Sequence, residues 1–237
     1  MNGMFRRAAA LALAAALMLP LAACGKGSDT VGPNNTPAAE ATPTPEPTPT
    51  PTPDPYDAVR NYWSEDQLTQ AWGPDQVVEH LFFHPVIAYP EFAFSDAVPQ
   101  DRQEGLDDWM VTADEFKKIL QSVYDKGYIL VNMGDVWSEV TGEDGVKRME
   151  RNTLMLPEGK KPLVISFDDV NYYDYMLAEG FTSKLVLGED GQIWAECTDP
   201  FTKETFLTQE LDATPILDQF VLEHPDFSLN GAKAIFS

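Results

Sequence analysis

The sequence predicts one α/β domain with parallel strands, and two kinds of segment carry this prediction. Apolar runs of strand length lie at residues 80–88 and 162–167. Segments with the 3.6-residue period of amphipathic helices lie at residues 112–126 and 214–224. Strands that alternate with helices are typical of parallel sheets covered by helices. The domain is expected to occupy residues 56–237.

The helix at residues 112–126 has the clearest boundaries. Thr112 and Glu115 have the spacing of a capping box, and Gly127 stands where a glycine commonly ends a helix. Residues 189–191 (Glu-Asp-Gly) are predicted to be the turn of a hairpin. The other predicted elements, in chain order, are a helix at 56–72, a strand at 128–131, a helix at 172–178, and strands at 185–187, 193–195 and 232–236.

The first 23 residues are predicted to be a secretory signal. A basic start precedes an apolar run at residues 8–19, which is shorter than the roughly 20 residues of a membrane span. Residues 21–23 (Leu-Ala-Ala) and Cys24 resemble the lipobox of bacterial lipoproteins, in which the cysteine is acylated. This resemblance implies membrane lipid as a partner and a position on the outer face of the cell membrane. The alternative is an ordinary cleaved signal followed by a chance cysteine.

Residues 24–55 are predicted to be a disordered linker, with Thr and Pro alternating from Thr42 to Pro53. Proline lacks a backbone donor and fixes φ, so this tract favours an extended polyproline conformation and cannot pack into a core. The linker is therefore expected to hold the domain away from the membrane.

Composition excludes one class of partner. The chain has 16 basic and 38 acidic residues and a net charge of −22. Nucleic acid is not expected to bind, because its phosphates are held by clustered Lys and Arg. With Cys24 in the anchor, Cys197 has no intramolecular partner, so a core must stabilise the domain. We expect Cys197 to be a small, partly buried residue; a catalytic thiol is the weaker alternative.

Two adjacent acids, Asp168 and Asp169, directly follow the apolar run at residues 162–167. Catalytic residues of barrel-like α/β domains gather at the carboxyl ends of strands. Paired carboxylates there can divide the work, since one can bind a divalent metal while the other accepts a proton from the metal-bound water. The structural alternative is a strand followed by a helix that Asp169 caps.

Residues 166–169 (Ser-Phe-Asp-Asp) are similar to the Thr-Phe-Asp-Asp-Gly motif of polysaccharide deacetylases, a family of carbohydrate esterases. A strand ending at His84 and a helix opening at Thr112 resemble the family's pattern upstream of the motif. The resemblance spans about residues 80–169. It implies a partial, distorted (β/α) barrel and metal-dependent removal of acetyl groups from N-acetylated cell-wall or extracellular polysaccharides.

The resemblance also implies roles for single residues. Asp168 becomes the general base, and Asp169 becomes a ligand of a divalent metal, expected to be zinc. His224 is a further candidate ligand, as the one histidine after the two acids. Tyr172 and Tyr173 are candidates for stacking on a sugar ring. The sequence departs from the family at residue 170, where valine replaces the glycine.

The family's two metal-binding histidines come from a His-x-x-x-His motif downstream of the acids, and this sequence has no such motif there. His80 and His84 have the spacing but precede the acids, on a predicted strand that places them about 13 Å apart. Two hypotheses follow. Either residues 56–237 are a deacetylase-like domain that is incomplete at its C-terminus, or the chain is a non-catalytic carbohydrate-binding or envelope-associated lipoprotein.

Overall fold

A computed structural model describes residues 54–237. The predicted signal, Cys24 and nearly all of the predicted linker lie outside the described residues. Within residues 54–237, no helix combines the length and the apolar character that crossing a membrane requires.

The described residues form short strands and helices that alternate irregularly along the chain. The strands are β1 (Gln70–Trp72), β2 (Glu79–Phe83), β3 (Tyr128–Leu130), β4 (Trp137–Thr141), β5 (Lys147–Arg151), β6 (Leu154–Leu156), β7 (Lys161–Phe167), β8 (Lys184–Leu187), β9 (Ile193–Thr198), β10 (Thr205–Thr208) and β11 (Ile235–Phe236). The helices are α1 (Asp57–Arg60), α2 (Pro90–Ala93), α3 (Gln100–Trp109), α4 (Ala113–Asp125), α5 (Met133–Val136), α6 (Asp174–Leu177) and α7 (Ala213–Glu223).

Strand β7 is the centre of a four-stranded parallel sheet. Strand β2 pairs along one edge, with Phe83 opposite Phe167. Strands β3 and β11 share the other edge, β3 beside the start of β7 and β11 beside its end. Every residue of β7 after Lys161 is buried, as expected for a parallel strand covered on both faces. The predicted buried strand at 162–167 is therefore confirmed.

One face of this sheet packs against helices α4 and α7. Phe116 of α4 is fully buried, and its ring contacts those of Phe83 and Phe167 at centroid distances of 4.9 and 5.8 Å. The capping box predicted for α4 is present, with Thr112 as the N-cap and Glu115 reaching back to it. Gly127 follows with a φ of 78°, a conformation that glycine adopts without strain. The helix predicted at 112–126 is confirmed.

The opposite face packs against a second apolar cluster, which includes Val164 of β7 and Leu154 and Leu156 of β6. Strands β8, β9 and β10 form a separate antiparallel sheet, and its β8–β9 hairpin confirms the turn predicted at 189–191. Cys197 of β9 is fully buried and unpaired. This is more burial than the sequence led us to expect.

Two predictions were wrong in extent. Residues 56–72 do not form one helix, because after α1 the chain makes a 3₁₀ turn and then strand β1, which pairs with β6. The strand predicted at 80–88 ends at Phe83, and β2 is buried on one face only, with Phe82 exposed. Pro85, which lacks a backbone donor, follows soon after. Residues 54–237 thus have a mixed α/β fold, and no closed barrel is present among them.

Candidate functional site

The two acids lie where the sequence predicts, immediately after the carboxyl end of β7. The backbone N–H of Asp168 donates to the carbonyl of Phe83, at 2.8 Å. Asp169 has a φ of 54°, a left-handed conformation that Asp tolerates better than most residues other than glycine. The next helix, α6, has Tyr173 as its N-cap. The alternative in which Asp169 caps a helix is therefore wrong.

The left-handed turn also explains how Val170 fits where the deacetylase motif has glycine. The positive φ falls on Asp169, one residue earlier, and Val170 has no positive φ. The Val170 side chain packs against the edge of the apolar cluster formed by the central sheet with helices α4 and α7. The left-handed conformation that the loop requires therefore falls on Asp169, which tolerates it, and not on the β-branched Val170.

His84 is brought to the acids by the pairing of β2 with β7. Because Phe83 lies opposite Phe167, the residues that follow these two phenylalanines leave the sheet together. The His84 Nε2 atom lies 3.9 Å from the Asp169 Oδ2 atom. Two ligands of a tetrahedral zinc ion, each about 2.0–2.1 Å from the metal, lie about 3.4 Å apart. His84 and Asp169 are thus close to the spacing of a ligand pair.

A third donor is lacking in the part of the chain that the structure describes. No group of three or more His, Cys, Asp or Glu side chains there could hold a metal ion. Catalytic zinc sites use three protein ligands and one open position. The described residues therefore do not form a complete catalytic zinc site.

The structure does not bring His224 to Asp169. His224 follows the last residue of α7, and its ring packs against those of Tyr124 and Phe220 in tilted contacts at centroid distances of 4.4 and 4.6 Å. The opposite end of this helix lies near the acids, where Asp212 bonds Tyr172. The 11 residues of α7 separate the two ends by about 16 Å.

Asp168 accepts two hydrogen bonds on one oxygen. The hydroxyls of Ser237 and Ser166 donate to its Oδ1 atom at 2.7 and 3.0 Å. These bonds, the Ser237 bond first, hold the pKa of Asp168 below its usual value, and positive charge on His84 and His80 acts in the same direction. Asp168 is therefore a carboxylate at neutral pH, able to accept a proton but weakly basic.

The three tyrosines after the acids have different surroundings. The Tyr172 hydroxyl donates to the buried Asp212 at 3.0 Å, and burial together with the Asp212 charge raises the pKa of Tyr172. Tyr173 and Tyr175 are exposed, and their rings stack at 5.5 Å with 13° between the ring planes. Tyr172 is thus held in the fold, whereas Tyr173 and Tyr175 present their rings to solvent.

A pair of charged residues supports the second of the exposed rings. The guanidinium of Arg102 lies 5.6 Å from the centre of the Tyr175 ring, within the range of a cation–π contact. Glu179, which is buried, accepts two hydrogen bonds from Arg102 at 2.7 and 2.8 Å. The bidentate geometry fixes the guanidinium and so fixes its position against Tyr175.

These features meet in one open cleft of about 320 Å³, a size typical of small-ligand sites. Its lining residues combine the candidate metal pair, the stacked tyrosines and a few apolar side chains: His84, Pro85, Met110, Asp169, Asn171, Tyr173, Tyr175 and Met176. Sequence reasoning considered His84 only as a possible metal-binding partner of His80, judged the two too far apart, and did not place it beside the acids. One sequence pattern could have indicated its role: in both apolar segments a phenylalanine is followed directly by a polar residue, at 83–84 and at 167–168.

Comparisons of the chain with protein-family models, with curated proteins and with solved structures each give no match. The similarity of residues 166–169 to the deacetylase motif therefore stays a prediction.

Proposed function

We propose that the chain is a cell-surface lipoprotein whose domain removes acetyl groups from N-acetylated sugar polymers, as polysaccharide deacetylases do. The observation that carries this proposal is the meeting of Asp168, Asp169 and His84 at the carboxyl end of two parallel strands, beside an open cleft. The corresponding fold is a partial, distorted (β/α) barrel, with β2, β7, β3 and β11 as its strands. Their parallel arrangement supports this assignment.

Asp168 is the residue that we assign as the general base. It is ionised at neutral pH, because hydrogen bonds from two hydroxyls hold its pKa low. Both hydroxyls bond Oδ1, so Oδ2 is the oxygen left to accept a proton from an attacking water. The low pKa lowers the driving force for that transfer, and we expect a correspondingly slow reaction.

A divalent ion, for which zinc is the expected choice, belongs beside Asp169 and His84 in this proposal. Such an ion supplies a Lewis acid and a water that ionises near neutral pH. Residues 54–237 provide two close donors where catalytic zinc has three. The donor set therefore does not fit a complete site, and metal dependence is a property to be measured.

The exposed rings of Tyr173 and Tyr175 are the proposed contact with the sugar. They are 51% and 54% exposed and line the same cleft as Asp169. An aromatic face offers apolar contact to a pyranose ring without requiring charge. Asn171, in the same lining, can donate to or accept from a sugar hydroxyl or an acetamide.

Acetate release from a soluble N-acetylated oligosaccharide tests the enzymatic proposal. The full chain is assayed with added zinc, cobalt or nickel, and again with a chelator. Asp168→Asn keeps the shape of the side chain and is expected to lower the rate by about 10² or more. Asp174→Asn, which removes an acid from the first turn of the following helix α6, is the matched control and is expected to stay within about twofold of wild type. If the wild-type chain releases no acetate with any of the three metals, the enzymatic proposal fails.

A second candidate is a non-catalytic carbohydrate-binding or envelope-associated lipoprotein. Two observations favour it: the described residues lack a third metal donor, and the cleft presents a stacked pair of tyrosines. It predicts oligosaccharide binding that a chelator does not change, that Asp168→Asn retains, and that Tyr173→Ala weakens. A chelator-sensitive affinity that is also lost in Asp168→Asn contradicts it.

The location that we propose is the outer face of the cell membrane, with Cys24 acylated and membrane lipid as its partner. The Thr/Pro tract up to Pro53 is proposed as a spacer, which lets the cleft reach cell-wall or extracellular polysaccharide. The strongly acidic composition supports a surface that does not adhere to anionic polymers.

A further inference from the structure

A chain of hydrogen bonds runs behind the acid that we assign as the base. The Nε2 atom of His80 lies 2.9 Å from the hydroxyl oxygen of Ser166, and that hydroxyl lies 3.0 Å from Asp168 Oδ1. His80 is on β2, while Ser166 is on the central strand β7. The contact therefore crosses between two paired strands.

Burial distinguishes Ser166 from an ordinary surface serine. It is only 3% exposed and lies in register with Phe82 on one side and Ile235 on the other. Residues two apart on a strand share a face, so Val164 and Ser166 lie on the same side of β7, and Asp168, just beyond the strand, reaches Ser166 through its side chain. A buried hydroxyl has to find its hydrogen-bond partners inside the protein, and here they are His80 and Asp168.

Counting protons fixes the direction of each bond. A serine hydroxyl has one proton to donate, and an ionised carboxylate can only accept. Because Asp168 is a carboxylate, the proton of Ser166 has to point to Asp168 Oδ1. The lone pairs of Ser166 then face His80, so the contact at 2.9 Å is a hydrogen bond only if the Nε2 atom of His80 carries a proton.

We propose that Ser166 is a positioning residue that accepts a hydrogen bond from the protonated Nε2 atom of His80 and donates its own proton to Asp168 Oδ1. His80 thereby holds the Ser166 hydroxyl in one rotamer, and Ser166 determines which oxygen of Asp168 stays free. The direction of these bonds stands on the geometry together with the ionised state of Asp168, and does not depend on the proposed function. The catalytic value of the free oxygen rests on the proposed function.

Nuclear magnetic resonance of the full chain with ¹⁵N-labelled histidine tests the bond direction without any assay of activity. The chain has three histidines, so the spectra of His84→Gln and His224→Gln assign the His80 ring. We expect the proton of neutral His80 to be on Nε2. The ratio of this tautomer to the Nδ1-protonated tautomer should be about tenfold higher in wild type than in Ser166→Ala, because a tenfold ratio corresponds to the free energy of about one hydrogen bond. A wild-type spectrum in which Nε2 of neutral His80 carries no proton overturns the proposal.

Variants of Ser166 test the positioning of Asp168 through the ¹³C resonance of its carboxyl group. Ser166→Ala is nearly isosteric, and we expect it to shift this resonance; Ser166→Thr, which keeps the hydroxyl, is expected to restore it. His80→Ala changes an exposed residue and is expected to shift the same resonance, which keeps the test valid if Ser166→Ala does not fold. An unmoved Asp168 resonance in both alanine variants overturns the positioning role.

The matched control is Ser228→Ala. Ser228 is also fully buried, and its hydroxyl donates to the carbonyl of Ala232 at 2.7 Å. This variant loses a buried hydroxyl without touching His80 or Asp168, so we expect both of their resonances to stay unchanged. If Ser228→Ala shifts them as much as Ser166→Ala does, the effect reflects general loosening and the proposal fails. If the wild-type chain releases no acetate, only the proposed enzymatic function fails, because the direction of the bonds is measured independently.

Discussion

Replacing Tyr172 with phenylalanine separates a structural role from a role in binding. The ring and its packing stay, while the hydrogen bond of 3.0 Å to Asp212 is lost. A hydrogen bond to a charged group contributes about 1.5–3 kcal/mol. Asp212 keeps the Thr182 hydroxyl and the backbone N–H of Thr214 as donors, so we expect a loss near the middle of that range, about 2 kcal/mol. For a domain of this size, this corresponds to a fall in Tm of about 4–8 °C.

The assay is thermal unfolding followed by circular dichroism at pH 7, with oligosaccharide affinity measured on the same samples. Tyr172→Phe is expected to lower Tm and leave the affinity unchanged. Tyr173→Ala is expected to do the reverse, leaving Tm nearly unchanged and weakening affinity by about fivefold, or about 1 kcal/mol of aromatic contact. If Tyr172→Phe weakens oligosaccharide binding while Tm stays within about 1 °C of wild type, the structural assignment of Tyr172 is refuted.

Three further predictions test the anchor, the buried thiol and the core. Cys24→Ser removes the proposed acylation site, and we expect the protein to move from the membrane fraction to the soluble fraction. Burial raises the pKa of Cys197 from 9.0 to about 12; since the unfolded thiol ionises first, stability is lost as pH rises through this window. The urea midpoint should therefore fall less between pH 8 and pH 10.5 in Cys197→Ala than in wild type. Phe116→Ala, at a fully buried site, should lower the free energy of unfolding, measured in urea, by about 3–5 kcal/mol. The control Trp109→Ala, at a site that is 69% exposed, should lower it by less than about 0.5 kcal/mol.

The elements that were predicted best from the sequence are those determined by residues close to them in the chain. Thr112 and Glu115 specify the start of α4 and Gly127 specifies its end, each through residues close by in the chain, and the helix forms as predicted. The turn at 189–191 likewise joins strands that are adjacent in the chain. Caps and tight turns are satisfied by neighbouring atoms, so no knowledge of the rest of the fold is needed.

The predictions that were wrong depend on partners far away in the sequence. Residues 56–72 contain helix-compatible residues, yet Gln70–Trp72 becomes a strand because it pairs with Leu154–Leu156. Pairing over such a distance overrides a weak local preference. The contact between His84 and Asp169 has the same origin, since the register of β2 on β7 creates it. The residues adjacent to His84 and to Asp169 in the chain do not determine this register.

The arrangement of β7 has a consequence for the order in which the molecule forms. Its pairing partners are β2, β3 and β11, which lie before and after it and as far along as Phe236. When all pairing partners of a strand are distant in sequence, the chain loses the entropy of long loop closures before the pairing contacts stabilise it. The amide hydrogens at the centre of β7 should therefore exchange with solvent only through global unfolding. Since Asp168 and Asp169 directly follow this strand, their placement depends on pairings that reach from residue 79 to residue 236.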